Sequence, residues 1–169
     1  MTEHTAPLPD CLPAWGTHAG LLTPAGAQPA PTSVEEMADR YAMHDTVFRY
    51  AYSYDERSRD ALEALLTPDV TFGYTISGGP IEEVRGREVV IDWLVEIMRT
   101  QTDQRRHLIS NVVIQERVAD RATLTTYMAL FASAAQAHLV TTGFYRFDLV
   151  KHDNCWRIAY ILDGLDRPF

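Results

Sequence analysis

From Arg105 onward the apolar residues recur at every second position, interrupted at short polar turns, and that leaves few folds open. Alternation marks strands, whose successive side chains leave opposite faces. Four stretches read this way, about 106–117, 121–134, 137–151 and 155–163. Ala119-Asp120 and His152-Asp153-Asn154 are the clearest connecting turns, so neighbouring strands should pair antiparallel.

The chain before this meander keeps a different period. Ser33 suits a helix N-cap, and Glu35 and Glu36 suit the positive end of the helix dipole. Met37, Tyr41, His44, Phe48, Ala51 and Asp55 then recur at steps of three and four, a stripe expected to face the core. A second helix spans about 58–66, with Ala61, Leu62, Leu65 and Leu66 on one side, and Thr67-Pro68-Asp69 ends it. Residues 70–76 alternate as a strand, and Ser77-Gly78-Gly79-Pro80 turns it. Gly86 precedes a third helix, about 87–99. Helices first and a strand meander after argue an α+β fold, a curved sheet wrapped around a helical layer.

Six of the nine prolines lie within the first 33 residues, where no long helix or central strand can persist. Residues 1–32 therefore read as a proline-rich arm and 33–169 as the domain, with Trp15, Leu21 and Leu22 giving the arm something to bury. Several strands are apolar on both faces: His107, Ile109, Asn111 and Val113 share one side, and Leu108, Val112 and Ile114 the other. A sheet with one wet face should not look like this, so a second copy is expected to cover it, giving a homodimer.

At 169 residues the chain can bury one good core. Its net charge of −8 and only 15 Lys and Arg, scattered, exclude nucleic acid as the main partner. No apolar run approaches the roughly 20 residues of a membrane span, so no membrane is expected either. The N-terminus lacks the basic start and apolar core of a secretory signal. Cys11 and Cys155 show no metal spacing and read as reduced thiols, which makes cytoplasm the expected location. There is no phosphate-cradling glycine loop, nucleophile elbow or dinucleotide fingerprint, so the chain offers acid/base chemistry with no cofactor and no metal.

Two polar residues fit a structural role badly. Asp55 ends the helical stripe, where burial is costly and the helix C-terminus repels a negative charge. It is either a solvated cap of the following turn or half of a buried pair. His107 opens a strand on an apolar side, as a satisfied rim residue or as a base. His44 reads as core, and His138 should face away from Leu139, Thr141 and Tyr145 unless a bulge intervenes. Tyr50 and Tyr54, four apart, share a helix face, as packing aromatics or with a hydroxyl aimed into a pocket.

In order and spacing, Tyr50-Ala-Tyr-Ser-Tyr54-Asp55, Leu65-Leu-Thr-Pro-Asp-Val70, Gly86, Arg106-His107-Leu-Ile-Ser-Asn111 and Asp153-Asn-Cys-Trp156-Arg-Ile158 form a familiar set. From about Ser33 to Leu165 the chain resembles the SnoaL-like branch of the nuclear transport factor 2-like superfamily. Within it, the dehydratases similar to scytalone dehydratase and bile acid 7α-dehydratase are the particular likeness. The resemblance implies a cystatin-like α+β barrel: a cone-shaped curved antiparallel sheet around a long N-terminal helix and two further helices. It implies a pocket between helices and sheet where Asp55 and His107 meet, with Tyr50 and Tyr54 beside them. One departure is plain. Where scytalone dehydratase carries a second histidine, this chain reads Leu130-Phe131-Ala132-Ser133, and the small polar pair near Gly143 and Tyr145 is also replaced.

These readings combine into an expectation. Asp55 and His107 form an acid/base dyad, Tyr50 and Tyr54 donate to a developing enolate oxygen, and Asn111 and Tyr145 orient the substrate. Phe72, Tyr74, Trp93, Met98 and Phe131 shape the pocket with them. The expected activity is dehydration of a small hydroxylated cyclic, aromatic or polyketide-like molecule, a lyase without cofactor. A cyclase or isomerase using the same dyad, or a non-catalytic ligand-binding or accessory subunit, are the alternatives.

Overall fold

The computed structural model describes residues 14–168. A short helix, α1 (Trp15–His18), precedes three others: α2 (Val34–Asp55), α3 (Arg59–Leu65) and α4 (Arg87–Thr100). Six strands follow or interleave: β1 (Leu66–Ile76), β2 (Glu82–Arg85), β3 (Gln104–Val118), β4 (Arg121–Ser133), β5 (Ala137–His152) and β6 (Cys155–Leu165). They form a single curved, unclosed sheet in the order β2-β1-β6-β5-β4-β3. All pairs are antiparallel except β1 with β6, which is parallel. The fold is the expected α+β one. The short β2, α1 and the parallel pair are additions that the alternation did not announce. Cys11 lies outside the described residues; Cys155 is exposed and unpaired.

Local chemistry explains the element ends. Ser33 accepts from the Glu36 amide and Ser58 from the Ala61 amide, capping α2 and α3. The β5–β6 turn runs through Asp153 and Asn154, both at positive φ (49° and 60°), the conformation whose twist suits a tight hairpin. Its product is the placement of Trp156, whose indole N–H donates to Asp39 at 3.2 Å. Asp39 also accepts from Lys151 at 2.7 Å and Arg117 at 2.6 Å, so one carboxylate on α2 is tied to β3, β5 and β6. Burial alone would raise its pKa, but those donors win and hold it below the usual carboxylate range.

The core lies between the helices and the concave sheet face. Met43, Val47 and Tyr50 of α2 meet Leu124, Phe147, Leu149, Ile158 and Ile161 there. This corrects the expected orientation of α2: Met37, Tyr41 and Phe48 are exposed at 52%, 74% and 45%. The helix is apolar on two sides, and periodicity gives the same spacing for either. Strand β3 needs a second correction. Asn111 sits at φ 51° in a bulge, where the register slips between Ser110 and Val113. The extra residue reverses the parity, so Val112 and Ile114 pack on the core together with Ile109.

On the opposite sheet face lies the described part of the arm. Trp15 packs on Phe144 with ring centroids 5.2 Å apart and donates to Asp166 at 2.7 Å. Thr17, Leu22 and Pro24 border a groove with Asn111, Val113 and Tyr127, and the Pro29 carbonyl accepts from Arg40. Part of the second apolar face is therefore covered by the chain itself.

Strands β5 and β6 approach closely beneath Phe144. A Cβ on Gly143 would stand 2.1 Å from the Gly164 carbonyl oxygen. Gly143→Ala should therefore cost about 1–3 kcal/mol by forcing the strands apart. Urea unfolding measures it, and an unchanged midpoint would contradict this packing.

Candidate active site

Helix α2 delivers its last turn against the start of β3, and the link between them is anchored from several directions. Arg57, at φ 54°, donates to the Gln101 and Asp103 carbonyls at 3.1 and 2.9 Å. Gln104 donates to the Asp55 carbonyl at 3.0 Å, and Arg106 pairs with Glu56 at 3.1 Å. The outcome is that two side chains 52 residues apart in sequence come together: His107 Nδ1 lies 2.6 Å from Asp55 Oδ1. The backbone N–H of His107 donates to Asp55 Oδ2 at 2.7 Å.

Both carboxylate oxygens are thus engaged by a single residue. Two charge-assisted hydrogen bonds offset what burial and the helix dipole cost a carboxylate at this position. Both side chains are buried, 7% and 8% exposed. A carboxylate only accepts, so the ring carries its hydrogen on Nδ1 and leaves the Nε2 lone pair free. Tyr54 holds the ring edge-on at 5.0 Å between centroids, and Tyr145 lies at 6.4 Å.

His107 lines a cavity of about 330 Å³ between α2, α4 and the sheet. Tyr50 and Tyr54 line it from α2, Phe72, Tyr74 and Ile76 from β1, and Trp93, Leu94 and Ile97 from α4. Met128 and Leu130 of β4, Tyr145 of β5, and Asp163 and Leu165 of β6 complete the sheet side, with Gln101 and Pro168 at its borders. Trp93 packs against Phe72 and stacks on Tyr74, whose hydroxyl bonds Glu82. The walls are aromatic and carry no lysine or arginine among the described residues. Burial raises the pKa of Tyr50, Tyr54 and Tyr145, so each keeps its hydroxyl proton. The Tyr54 hydroxyl accepts from Gln101 at 3.1 Å, which leaves its own hydrogen to donate.

Of the residues singled out from sequence, Tyr50, Tyr54, His107, Phe72, Tyr74, Trp93 and Tyr145 border this cavity, with Asp55 behind His107. Two do not. Phe131 follows Leu130, which lines the cavity, and strand alternation turns it to the other face. Asn111 occupies the β3 bulge and faces the groove beside the arm. Met98 is core rather than lining, and His44 lies on the flank of α2 against Phe48. No cluster of metal-ligating residues occurs among the described residues, and none of their helices is long and apolar enough to cross a membrane.

Asp163 was missed. It stands directly across from Tyr145 on β5 and Tyr74 on β1, between Ile161 and Leu165 on the core side of β6. The signal was available: a carboxylate at alternate spacing within an apolar strand face. The residue keeps some accessible surface, yet Oδ1 is sealed from solvent and has no hydrogen-bond partner. Burial pushes its carboxyl up to about 7, opposed in part by the Tyr145 hydroxyl.

A model of the SnoaL-like domain family matches residues 35–161. The fold is similar to that of Rv3472, a function-unknown protein of Mycobacterium tuberculosis, with a TM-score of 0.68 at 24% identity over 79% of this chain and 75% of that one. It is similar to a candidate scytalone dehydratase of Novosphingobium aromaticivorans, at 0.65 and 20% over 76% and 85%. The beta subunit of a candidate aromatic-ring-hydroxylating dioxygenase of the same bacterium gives 0.69 and 16% over 81% and 94%. At these identities the likeness is one of fold. Comparison with curated proteins gave no match.

The raised Asp163 pKa has a stability consequence. Between the ordinary carboxylate value of 3.8 and about 7 the folded chain binds a proton that the unfolded chain does not. Stability therefore falls as pH rises through that window, by about 1.4 kcal/mol per unit, and is level above it. Asp163→Asn carries no such charge, so its Tm should gain on the wild type between pH 4 and pH 8. A Tm difference independent of pH would contradict the buried-acid assignment.

Proposed function

The chain belongs to the SnoaL-like domain family, which includes enzymes such as cyclases and dehydratases, and from that premise we propose a cofactor-independent lyase. Its substrate on this reading is a small hydroxylated cyclic, aromatic or polyketide-like molecule that loses water. The observation that carries the reading is the Asp55–His107 contact on the wall of an aromatic cavity. Family membership alone leaves the chemistry open, because this fold serves many functions.

Asp55 fixes the imidazole tautomer and stabilises the imidazolium that forms. Nε2 takes a proton from carbon beside a carbonyl or activated ring. The electron pair left behind delocalises onto the carbonyl oxygen, where Tyr50 or Tyr54 donates a hydrogen bond. A hydroxyl on the next carbon then departs as water, on the simplest course with the proton that the imidazolium holds. A positioned acid/base group is worth roughly 10²–10⁴ in rate, enough for carbon acids already activated by conjugation. On an enolisable substrate without a leaving hydroxyl, the same steps stop at isomerisation or cyclisation. The fold likeness to a dioxygenase beta subunit supports the other reading, an accessory role in which the dyad is a structural ion pair.

The dyad is tested by His107→Ala and Asp55→Asn, with water loss from hydroxy-ketones followed by mass. Losses of about 10²-fold or more are expected for His107→Ala. Equal turnover in wild type and both variants would reject the dyad, and retained ligand binding without turnover in any of the three would favour the accessory role.

The expected homodimer belongs to the same proposal. Its support is the solvent-exposed stripe of Val34, Met37, Tyr41, Phe48 and Tyr52 along α2. Sedimentation should give twice the 19.1 kDa chain mass, and a monomer at micromolar concentration would remove the proposal.

A further inference from the structure

The steps above give Asp163 no task, although it shares the cavity with His107. We propose that Asp163 is the general acid of this site, handing its proton to the departing hydroxyl while His107 takes the proton from carbon. The substrate class narrows accordingly, to uncharged aromatic or ring-bearing β-hydroxy carbonyl compounds. This rests on the dyad reading and extends it.

Geometry supports the assignment. His107 is on β3 and Asp163 on β6, separated in the sheet by β4 and β5, so they approach one ligand from different sides. Tyr145 stands between them, 6.4 Å from the His107 ring and directly across the ladder from Asp163. Both residues border the one cavity, so a single small molecule held there can meet the two of them. Asp163 borders the cavity although its Oδ1 is closed off and without a protein partner, so the proton to be handed over is assigned to Oδ2. The ionisable groups sharing the cavity are Tyr74 from β1, Tyr145 from β5, Tyr50 and Tyr54 from α2, and His107 with Asp55 behind it. The tyrosines keep their protons, and α4 contributes Trp93, Leu94 and Ile97 without a charge. A carboxyl titrating near 7 is protonated in about half of the molecules at neutral pH and can still release its proton, the match a general acid needs. Among the described residues the walls carry no lysine or arginine to hold a carboxylate or phosphate, which favours an uncharged substrate.

The step balances. The C–H bond breaks with its proton on Nε2, and its electron pair becomes the new carbon–carbon π bond. The C–O bond breaks, the oxygen takes the Asp163 proton, and water leaves. An imidazolium and a carboxylate remain; the first loses a proton to solvent and the second gains one.

Two measurements test this on the full chain. Carbon-13 NMR of aspartate-labelled protein, with the signal assigned by Asp163→Asn, should show a carboxyl titrating near 7. Titration in the ordinary carboxylate range overturns the proposal. The kinetic probes are the aldol of benzaldehyde and acetone, which loses water to benzylideneacetone, and its O-acetyl ester, whose leaving group needs no proton. Asp163→Asn should lower the hydroxyl-to-acetate rate ratio by about 10²-fold, whereas His107→Ala lowers both rates together. Deuterium exchange into benzylacetone, which has no leaving group, reads His107 alone. Exchange that depends on His107, with an unchanged rate ratio in Asp163→Asn or with no water loss from the aldol, overturns the acid and spares the dyad. Absence of exchange in the wild type overturns both.

Discussion

A carboxylate at the negative end of a long helix needs a reason to be there, and for Asp55 that reason is a single residue on another element. His107 supplies both hydrogen bonds, one from its ring and one from its main chain. A rotated ring would keep only the second, and a shifted strand would lose both, so tautomer, ring orientation and α2–β3 spacing are fixed together. The Arg57, Gln104 and Arg106 contacts then read as support for that alignment rather than as separate surface decoration. Removing one surface contact such as the Arg106–Glu56 ion pair costs little, but here the distance between helix end and strand start depends on it together with the Arg57 and Gln104 hydrogen bonds.

The cavity follows from what surrounds that pair. Aromatic side chains from α2, α4, β1 and β5 exclude water, and the same exclusion acts in opposite directions on its polar groups. It strengthens the Asp55–His107 bond, because both members have partners, and it drives Asp163, whose Oδ1 has none, toward its neutral form. One low-dielectric pocket thereby separates two aspartates, one held by two donors and one left without any on Oδ1. Environment, rather than residue type, assigns them different chemical states.

Much of this was legible in the residues themselves. The four late strands were readable from alternation because each has a buried face and a turn at its end, and the tight hairpin at Asp153-Asn154 announced itself by composition. The Asp55–His107 contact was not visible from periodicity; it came from the order and spacing of motifs in a resembling family. Three things stayed hidden for physical reasons. The two-sided apolarity of α2 conceals which side faces in, since helical spacing is the same for both. A bulge at Asn111 cancels alternation without any proline or glycine to mark it. Asp163 was overlooked because an acidic residue near a strand end looks like the start of a loop, whereas β6 runs on to Leu165.

The sheet never closes, and β3, which carries His107, is its last strand. An interior strand cannot shift without breaking two ladders, but a border strand yields by loosening one. The imidazole is therefore mounted on the most compliant wall of the chamber, and the aspartate of β6 on one of the stiffest. The Asp55 bonds are what hold that rim, so loosening them would alter the chamber's width and the imidazole's place in one step.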